Sequence, residues 1–275
     1  MNPGRKPLPP PRRPPLPTNP ARLPPLPERY HDALAGGLTT LGLDLLRPQL
    51  DALEAYVRLL LAWTEAINLT AISEPAAVAR EHLLDSLSAV ALLRDASAQR
   101  ILDLGSGAGL PGLPIAIAMP EARLVLVESI AKKAAFLRTA VQAVGVGDRV
   151  DVAAERVEAL ANPGREREAF DAVTARAVAG LSELVELAFP LLRIGGRLVA
   201  WKREPRPSDV QAGREPLRIE LAAGREAART LGGDLDVVPV ALRGLDHHRL
   251  VVVTKRRATP ARFPRSPAER RQNPM

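Results

Sequence analysis

The segment Ile101-Leu102-Asp103-Leu104-Gly105-Ser106-Gly107-Ala108-Gly109-Leu110-Pro111-Gly112 leaves this chain few folds to choose from. An apolar strand ends in an acid and passes through alternating glycines into a helical stretch. Glycine there lets the backbone turn sharply and lets a ligand approach with no Cβ in the way. Pro111, just past the loop, suits a helix's first turn, where no N–H is missed. A second apolar strand, Leu124-Val125-Leu126-Val127, ends in Glu128. An acid at such a tip can accept hydrogen bonds from both ribose hydroxyls of a nucleoside. Strand, glycine loop, helix, strand and acid together describe a site for an adenosine-bearing cofactor.

The surrounding pattern sets the fold class. From about 28 to 95 apolar residues recur at helical spacing, with Leu50, Leu53, Tyr56, Val57, Leu60 and Leu61 on one face and a second helical stretch over 75–94. After residue 99 the period changes. Strands are expected at 100–104, 123–127, 149–153, 171–175, 196–201, 235–241 and 249–254, with helical stretches at 111–119, 130–145, 155–161, 180–192 and 218–231. Alternating strand and helix implies an α/β fold, a doubly wound, mostly parallel sheet covered on both faces. The last two strands are joined too closely for a parallel crossover, so they form a C-terminal antiparallel hairpin. The division expected is a Pro/Arg-rich disordered extension over 1–27, an N-terminal helical cap over 28–95, a catalytic domain over 96–257 and a basic tail over 258–275. Loops 162–169 and 203–216, charged and containing proline or glycine, read as mobile.

Charge separates these parts. Residues 1–27 carry Arg5, Lys6, Arg12, Arg13 and Arg22 and no acid, and residues 255–275 carry seven cations against Glu269. The net charge of +7 therefore leaves −4 for residues 28–254. Basic tails suit a polyanion, since each neutralised phosphate releases counterions; a purely solubilising role is the alternative. The first 27 residues hold 12 prolines and little to bury, which favours polyproline II or disorder. The chain has no cysteine, hence no disulfide framework and no thiolate nucleophile or metal site. No apolar run reaches the roughly twenty residues of a membrane span, and the N-terminus has no signal-peptide core. A cytoplasmic protein is the expectation.

Two readings of the loop compete. Gly107-x-Gly109-x-x-Gly112 fits the dinucleotide fingerprint, a weak signal by itself. Asp103-x-Gly105-x-Gly107-x-Gly109 fits Rossmann-like methyltransferases, in which loop backbone cradles the methionyl part of S-adenosylmethionine. The terminal hairpin favours the second reading, as does the lack of a separate domain to supply a hydride-transfer acid. Further motifs lie in order along the chain: Asn68-Leu69-Thr70, His82-x-x-Asp85-Ser86-Leu87, Glu128-Ser129 with Lys132-Lys133 and Phe136-Leu137, Arg156-Val157-Glu158, Thr174-Ala175-Arg176-Ala177, Gly195-Gly196 with Lys202, and Arg249-Leu250-Val251-Val252. With these, from about Tyr56 to Lys255, the chain resembles the RsmG (GidB) family, which methylates N7 of a guanosine in bacterial small-subunit 16S rRNA. Phe263-Pro264-Arg265 is similar to the tail of many members, whereas Thr64 and Arg203 depart from the family pattern.

The resemblance implies a class I methyltransferase fold, S-adenosyl-L-methionine as cofactor and no metal. Its substrate would be 16S rRNA within the small ribosomal subunit or an assembly intermediate, and a monomer is expected. It implies that Asp103, Gly105, Gly107 and Leu110 form the cofactor loop and that Glu128 takes the ribose hydroxyls. Val157 and Glu158 would flank the adenine, and Arg176 would lie where cofactor and substrate meet as both binding and catalytic residue. His82 and Asp85, one turn apart, either contact RNA or pin the cap to the sheet. His247-His248 lacks the ligands to complete a metal site. Guanine N7 has a free lone pair and no proton to lose, so alignment rather than a general base is what the reaction requires. Two alternatives remain at this point: a methyltransferase of the same fold acting on a small molecule or protein, and a nucleotide-cofactor oxidoreductase or binding module.

Overall fold

The computed structural model describes residues 15–211, 213 and 216–275. The chain enters through a 3-10 turn, Pro20–Arg22, capped by Asn19. The cap follows. Helix α1 (Glu28–Leu41) stops at Gly42, in the left-handed region at φ 63°. Helix α2 (Arg47–Ile67) begins where Gln49 accepts from the backbone N–H of Leu46 at 2.8 Å and ends at Asn68, φ 51°. Its Leu53, Tyr56, Val57, Leu60 and Trp63 are buried, the face its sequence spacing specifies.

The stretch 75–94 is not one helix. It divides into α3 (Pro75–Val78), a π-helical turn Ala79–Leu84, α4 (Asp85–Leu87) and α5 (Val90–Asp95). Side chains compete here for the helical carbonyls. Ser86 Oγ donates to His82 O and Ser88 Oγ to Asp85 O, each at 2.6 Å, while Arg176 Nη1 reaches Glu81 O at 3.1 Å.

The α/β part carries β1 (Arg100–Leu104), α6 (Gly112–Ala118), β2 (Arg123–Val127), α7 (Ala131–Ala143), β3 (Val150–Ala153), α8 (Val157–Leu160) and β4 (Phe170–Arg176). It continues with α9 (Leu181–Ala188), β5 (Leu192–Arg203), the short α10 (Pro207–Gln211), α11 (Leu217–Leu231), β6 (Gly233–Pro239) and β7 (His248–Lys255). A last helix, α12 (Pro267–Gln272), lies in the tail. The sheet runs β3-β2-β1-β4-β5-β7-β6. The first five strands are parallel, and β7 pairs antiparallel with both β5 and β6. The hairpin expected from sequence is present, with its second strand inside the sheet. The order reverses between β1 and β4, which opens a crevice at the carboxyl ends of the strands.

Strand alternation divides the core. Ile101 faces the side covered by the cap, α6 and α7, in one continuous cluster with Leu53, Tyr56 and Leu124. Leu102 and Leu104 face the side covered by α8, α9 and α11.

Three expectations change. Residues 15–27 are not a free extension; residues 1–14 lie outside the described residues. Leu16, Leu23 and Leu26 pack on the cap core, Trp63 Nε1 donates to Pro17 O at 2.7 Å, and Arg58 donates to Leu23 O. Loop 162–169 is tied down by Arg165 to Glu155 at 2.7 Å and Glu168 to Lys255 at 2.8 Å. Within 203–216, α10 occupies part of what reads as loop. Among the described residues no helix is long and apolar enough to cross a membrane, and no cluster of three or more His, Cys, Asp or Glu side chains could hold a metal ion.

Candidate active site

The glycine loop leaves β1 with three left-handed residues, Gly105 (φ 68°), Gly107 (φ 54°) and Gly109 (φ 90°). A Cβ on Gly105 would meet Val178 Cγ2 at 2.7 Å, whereas one on Gly107 would have Glu128 Oε2 no nearer than 4.0 Å. The loop is therefore tight at Gly105, against Val178, and open at Gly107. Ser106 holds its shape, donating N–H to Val127 O at 2.9 Å and Oγ–H to Asp103 O at 3.0 Å. The cap braces it from outside: the buried Tyr56 hydroxyl donates to Ala108 O at 2.7 Å.

A cavity of about 240 Å³ opens beside this loop, at the carboxyl ends of β1, β2 and β3. Of the residues expected from sequence, Gly105, Glu128, Val157 and Glu158 line it. Glu128, at the tip of β2, accepts from the N–H of Gly107 at 2.9 Å and of Ile130 at 2.7 Å. These two bonds orient its carboxylate toward the loop and tie Gly107 to the rim. Glu158 is held down to about 2: burial opposes its charge, and hydrogen bonds from Arg156 and Arg270 outweigh that opposition.

Gly107 does not line the cavity but is bonded to Glu128 at its edge, and the other three expected residues lie elsewhere. Asp103 is fully buried beneath the loop, on the cap side of the sheet. Its Oδ1 accepts from Thr174 Oγ1 at 2.7 Å, and burial raises its pKa despite that bond. A Cβ on Gly112 would come within 2.7 Å of Asp103 Oδ2, so the acid supports the loop and the start of α6 from below. Leu110 turns into the cap-side core. Arg176 leaves the end of β4 away from the cavity and enters the cap, where Nη1 meets Asp85 Oδ2 at 3.1 Å.

That ion pair belongs to a cluster. Asp85 Oδ1 meets His248 Nδ1 at 2.9 Å, and the Asp85 carbonyl accepts from Trp201 Nε1 at 2.8 Å. His82 Nε2 lies 2.6 Å from Thr70 Oγ1, and burial, then the Arg176 guanidinium, lower its pKa to about 4. Asp85 thus pins the cap to β4 and to β7, and His248 is a partner in that pin rather than free hairpin surface.

The sequence reading missed Tyr56 as a loop brace and Arg270 as a cavity residue. Tyr56 carried only an apolar-face signal, and its hydroxyl partner lies 52 residues away. Arg270 looked like one of several tail cations, but it lines the cavity and meets Glu158 Oε1 at 2.5 Å.

A parallel sheet with a switch point, an antiparallel β7 set between β5 and β6, a glycine-rich loop after β1 and an acid at the tip of β2 are the arrangement of nucleoside-cofactor methyltransferases with a Rossmann-like fold. Among solved structures the chain is similar in fold to an O-methyltransferase from Bacillus cereus in complex with SAH, at TM-score 0.52 and 19% identity over 73% of this chain and 91% of that one. The family model described as GidB, rRNA small subunit methyltransferase G, matches residues 49–223. A relative in Chloroflexus aggregans named Ribosomal RNA small subunit methyltransferase G is 43% identical over 83% of this chain and 91% of its own length. A relative of the same name in Rubrobacter xylanophilus is 42% identical over 87% and 90%. The chain belongs to the rRNA small subunit methyltransferase G family.

Proposed function

We propose that this protein methylates N7 of a guanosine in 16S rRNA, with S-adenosylmethionine bound in the cavity beside Gly105 and Glu128. Family membership and the cofactor cavity support the reaction class. The observation that carries N7 chemistry is the state of the cavity's acids. Glu128 accepts from two backbone N–H groups, Glu155 from Arg165, Glu158 from Arg156 and Arg270, and Glu183 from Arg270. Each carboxylate lining the cavity accepts from at least one N–H group of the protein, which favours its charged form and makes it a weak base. Guanine N7 attacks through a lone pair and has no proton to give up, so none is needed.

The cavity fits the cofactor. Gly105 adds no Cβ to the floor, Glu128, bonded to Gly107, presents its carboxylate to a ribose, and Val157 offers an apolar wall to the adenine. Glu158, ionised at any working pH, accepts from the exocyclic amino group. Bound there, S-adenosylmethionine supplies an electrophilic methyl on a sulfonium. The protein's part is proximity and orientation, worth several kcal/mol when the approach is held short. Arg176 acts from the cap side, fixing through Asp85 the surface against which the RNA base is presented. The substrate is the small subunit or an assembly intermediate of it, met in the cytoplasm by a monomeric enzyme.

The test is the modification itself. Ribosomal RNA from a deletion strain, mapped by mass spectrometry, should lack one 7-methylguanosine. Purified protein with labelled S-adenosylmethionine should restore it. A fully modified rRNA in the deletion strain refutes the assignment.

A further inference from the structure

After β7 the chain folds back onto the helical layer formed by α8 and α9, and it is fastened at each step. Arg167 donates to Thr259 O and Phe263 O, both at 2.9 Å, and Phe263 is buried in the cluster that contains Val157 and Leu160. Arg265 forks onto Glu186, with Nη2 2.6 Å from Oε2 and Nε 2.9 Å from Oε1, and Glu186 is itself only 1% exposed. Helix α12 is then started by a capping box between Ser266 and Glu269.

This fastening delivers Arg270, 5% exposed, to the wall of the cofactor cavity. A buried guanidinium is costly unless its donors are used. Here all three nitrogens are used: Nε to Glu183 Oε1 at 3.1 Å, Nη1 to Arg265 O at 2.5 Å and Nη2 to Glu158 Oε1 at 2.5 Å. Glu158 Oε1 also takes Arg156 Nη2 at 3.1 Å, whereas Oε2 holds one long bond, from Arg156 Nε at 3.4 Å. One oxygen is anchored and the other is left for a further donor.

We infer that the C-terminal tail is a structural wall of the cofactor cavity, and that Arg270 is a positioning residue that fixes the Glu158 carboxylate for the adenine amino group. The inference rests on the cavity being the cofactor's. It also reverses what the tail's charge suggests by itself: two of its arginines are spent on core carboxylates and are not available to phosphates.

Calorimetric titration of the full chain with S-adenosylhomocysteine tests it, on wild type, Arg270→Ala, Arg270→Lys and a chain ending at residue 258. Arg270→Ala should weaken binding on the order of tenfold, as expected for the loss of charge-assisted hydrogen bonds. It should weaken 5′-methylthioadenosine, which carries the adenine without the amino-acid arm, by the same factor. KM for S-adenosylmethionine should rise with it, while kcat at saturating cofactor holds within about twofold. Arg270→Lys should recover part of the loss, since a point charge can hold one carboxylate but cannot fork across two. The shortened chain should bind at least as weakly as Arg270→Ala. Phe263 and Arg265 keep the tail docked in the point variants, so a native melting curve is expected there, and those variants decide the matter if the shortened chain does not fold. Equal affinity of wild type and Arg270→Ala overturns the inference, as does a fall in kcat at constant KM. Failure of the wild type to bind S-adenosylhomocysteine would instead remove the cofactor cavity itself.

Discussion

Replacing Arg176 should disturb stability and turnover together. Its partner Asp85 has a side chain 3% exposed, while Arg176 is 16% exposed. Removing one member of a buried pair strands the other and costs roughly 3–5 kcal/mol. Two features reduce that here: Arg176 retains some contact with water, and His248 still meets the second Asp85 oxygen at 2.9 Å. We therefore expect Arg176→Ala to cost roughly 2–3 kcal/mol, below that range because of these two features. For a chain of this size that is a fall of about 4–12 °C in Tm. Asp85→Asn keeps the shape and removes the charge. A double-mutant cycle over Arg176→Ala and Asp85→Asn, followed by urea unfolding, should return a coupling above about 1 kcal/mol. Methylation by Arg176→Ala should be lost at temperatures where its circular dichroism is native. If Arg176→Ala melts within about 2 °C of wild type and the coupling is below about 0.5 kcal/mol, the pin between cap and sheet is not a stabilising contact and the reasoning fails.

Other outcomes follow from single contacts. Gly107→Val places a β-branched residue at φ 54° on the open side of the loop, and calorimetry should show S-adenosylhomocysteine binding abolished. Gly112→Ala puts a Cβ 2.5 Å from Leu126 Cδ2 and 2.7 Å from Asp103 Oδ2, so Tm should fall even without ligand. His82 is neutral in both states above its ordinary value of 6.5, but between there and its folded value of about 4 only the unfolded chain takes up the proton. Stability should therefore drop as pH falls through that window, and His82→Gln should flatten the drop in urea titrations run from pH 4 to 7.5. Removing residues 1–14, which carry Arg5, Lys6, Arg12 and Arg13, should reduce the log–log salt slope of RNA binding by up to roughly 3 if each cation meets a phosphate; an unchanged slope assigns them to solubility.

Much of the sheet was legible because most of its parallel strands are short apolar runs closed by a charge, a glycine or a turn; β5 runs longer than expected, from Leu192 through two glycines to Arg203. Leu124 to Val127 ending in Glu128 is an example, and the observed β2 covers it to within a residue. The hairpin was legible from the short connection alone. The glycine loop and the acid proposed for the ribose were legible for a different reason: a glycine-rich turn and an acid at a strand tip are local features, visible within a few residues. What stayed hidden depends on distant partners. Nothing near Arg270 in sequence points to Glu158, 112 positions earlier. Nothing near Arg176 shows that its side chain leaves the cavity for Asp85, 91 positions earlier. The π-helical turn was hidden because no proline or glycine marks it, and the side chains that bond its carbonyls, Ser86 to His82 O and Arg176 to Glu81 O, give no local pattern. In the segment 15–27, proline density masked three leucines that pack on the cap.

The placement of β7 bears on how the protein is made. Among the described residues the last strand in the chain is an interior strand of the sheet and the one neighbour of β6. Until residues 248–255 emerge, β5 keeps an open edge, a template for mispairing with other chains, and β6 cannot join at all. Synthesis proceeds from the N-terminus, so the glycine loop, Glu128 and Glu158 all exist in a chain that cannot yet close its sheet. His248, the second partner of Asp85, arrives with the same strand. A stop codon between Glu158 and His248 should therefore yield insoluble or degraded product in place of a crippled enzyme, although the residues proposed to hold the cofactor would nearly all be present.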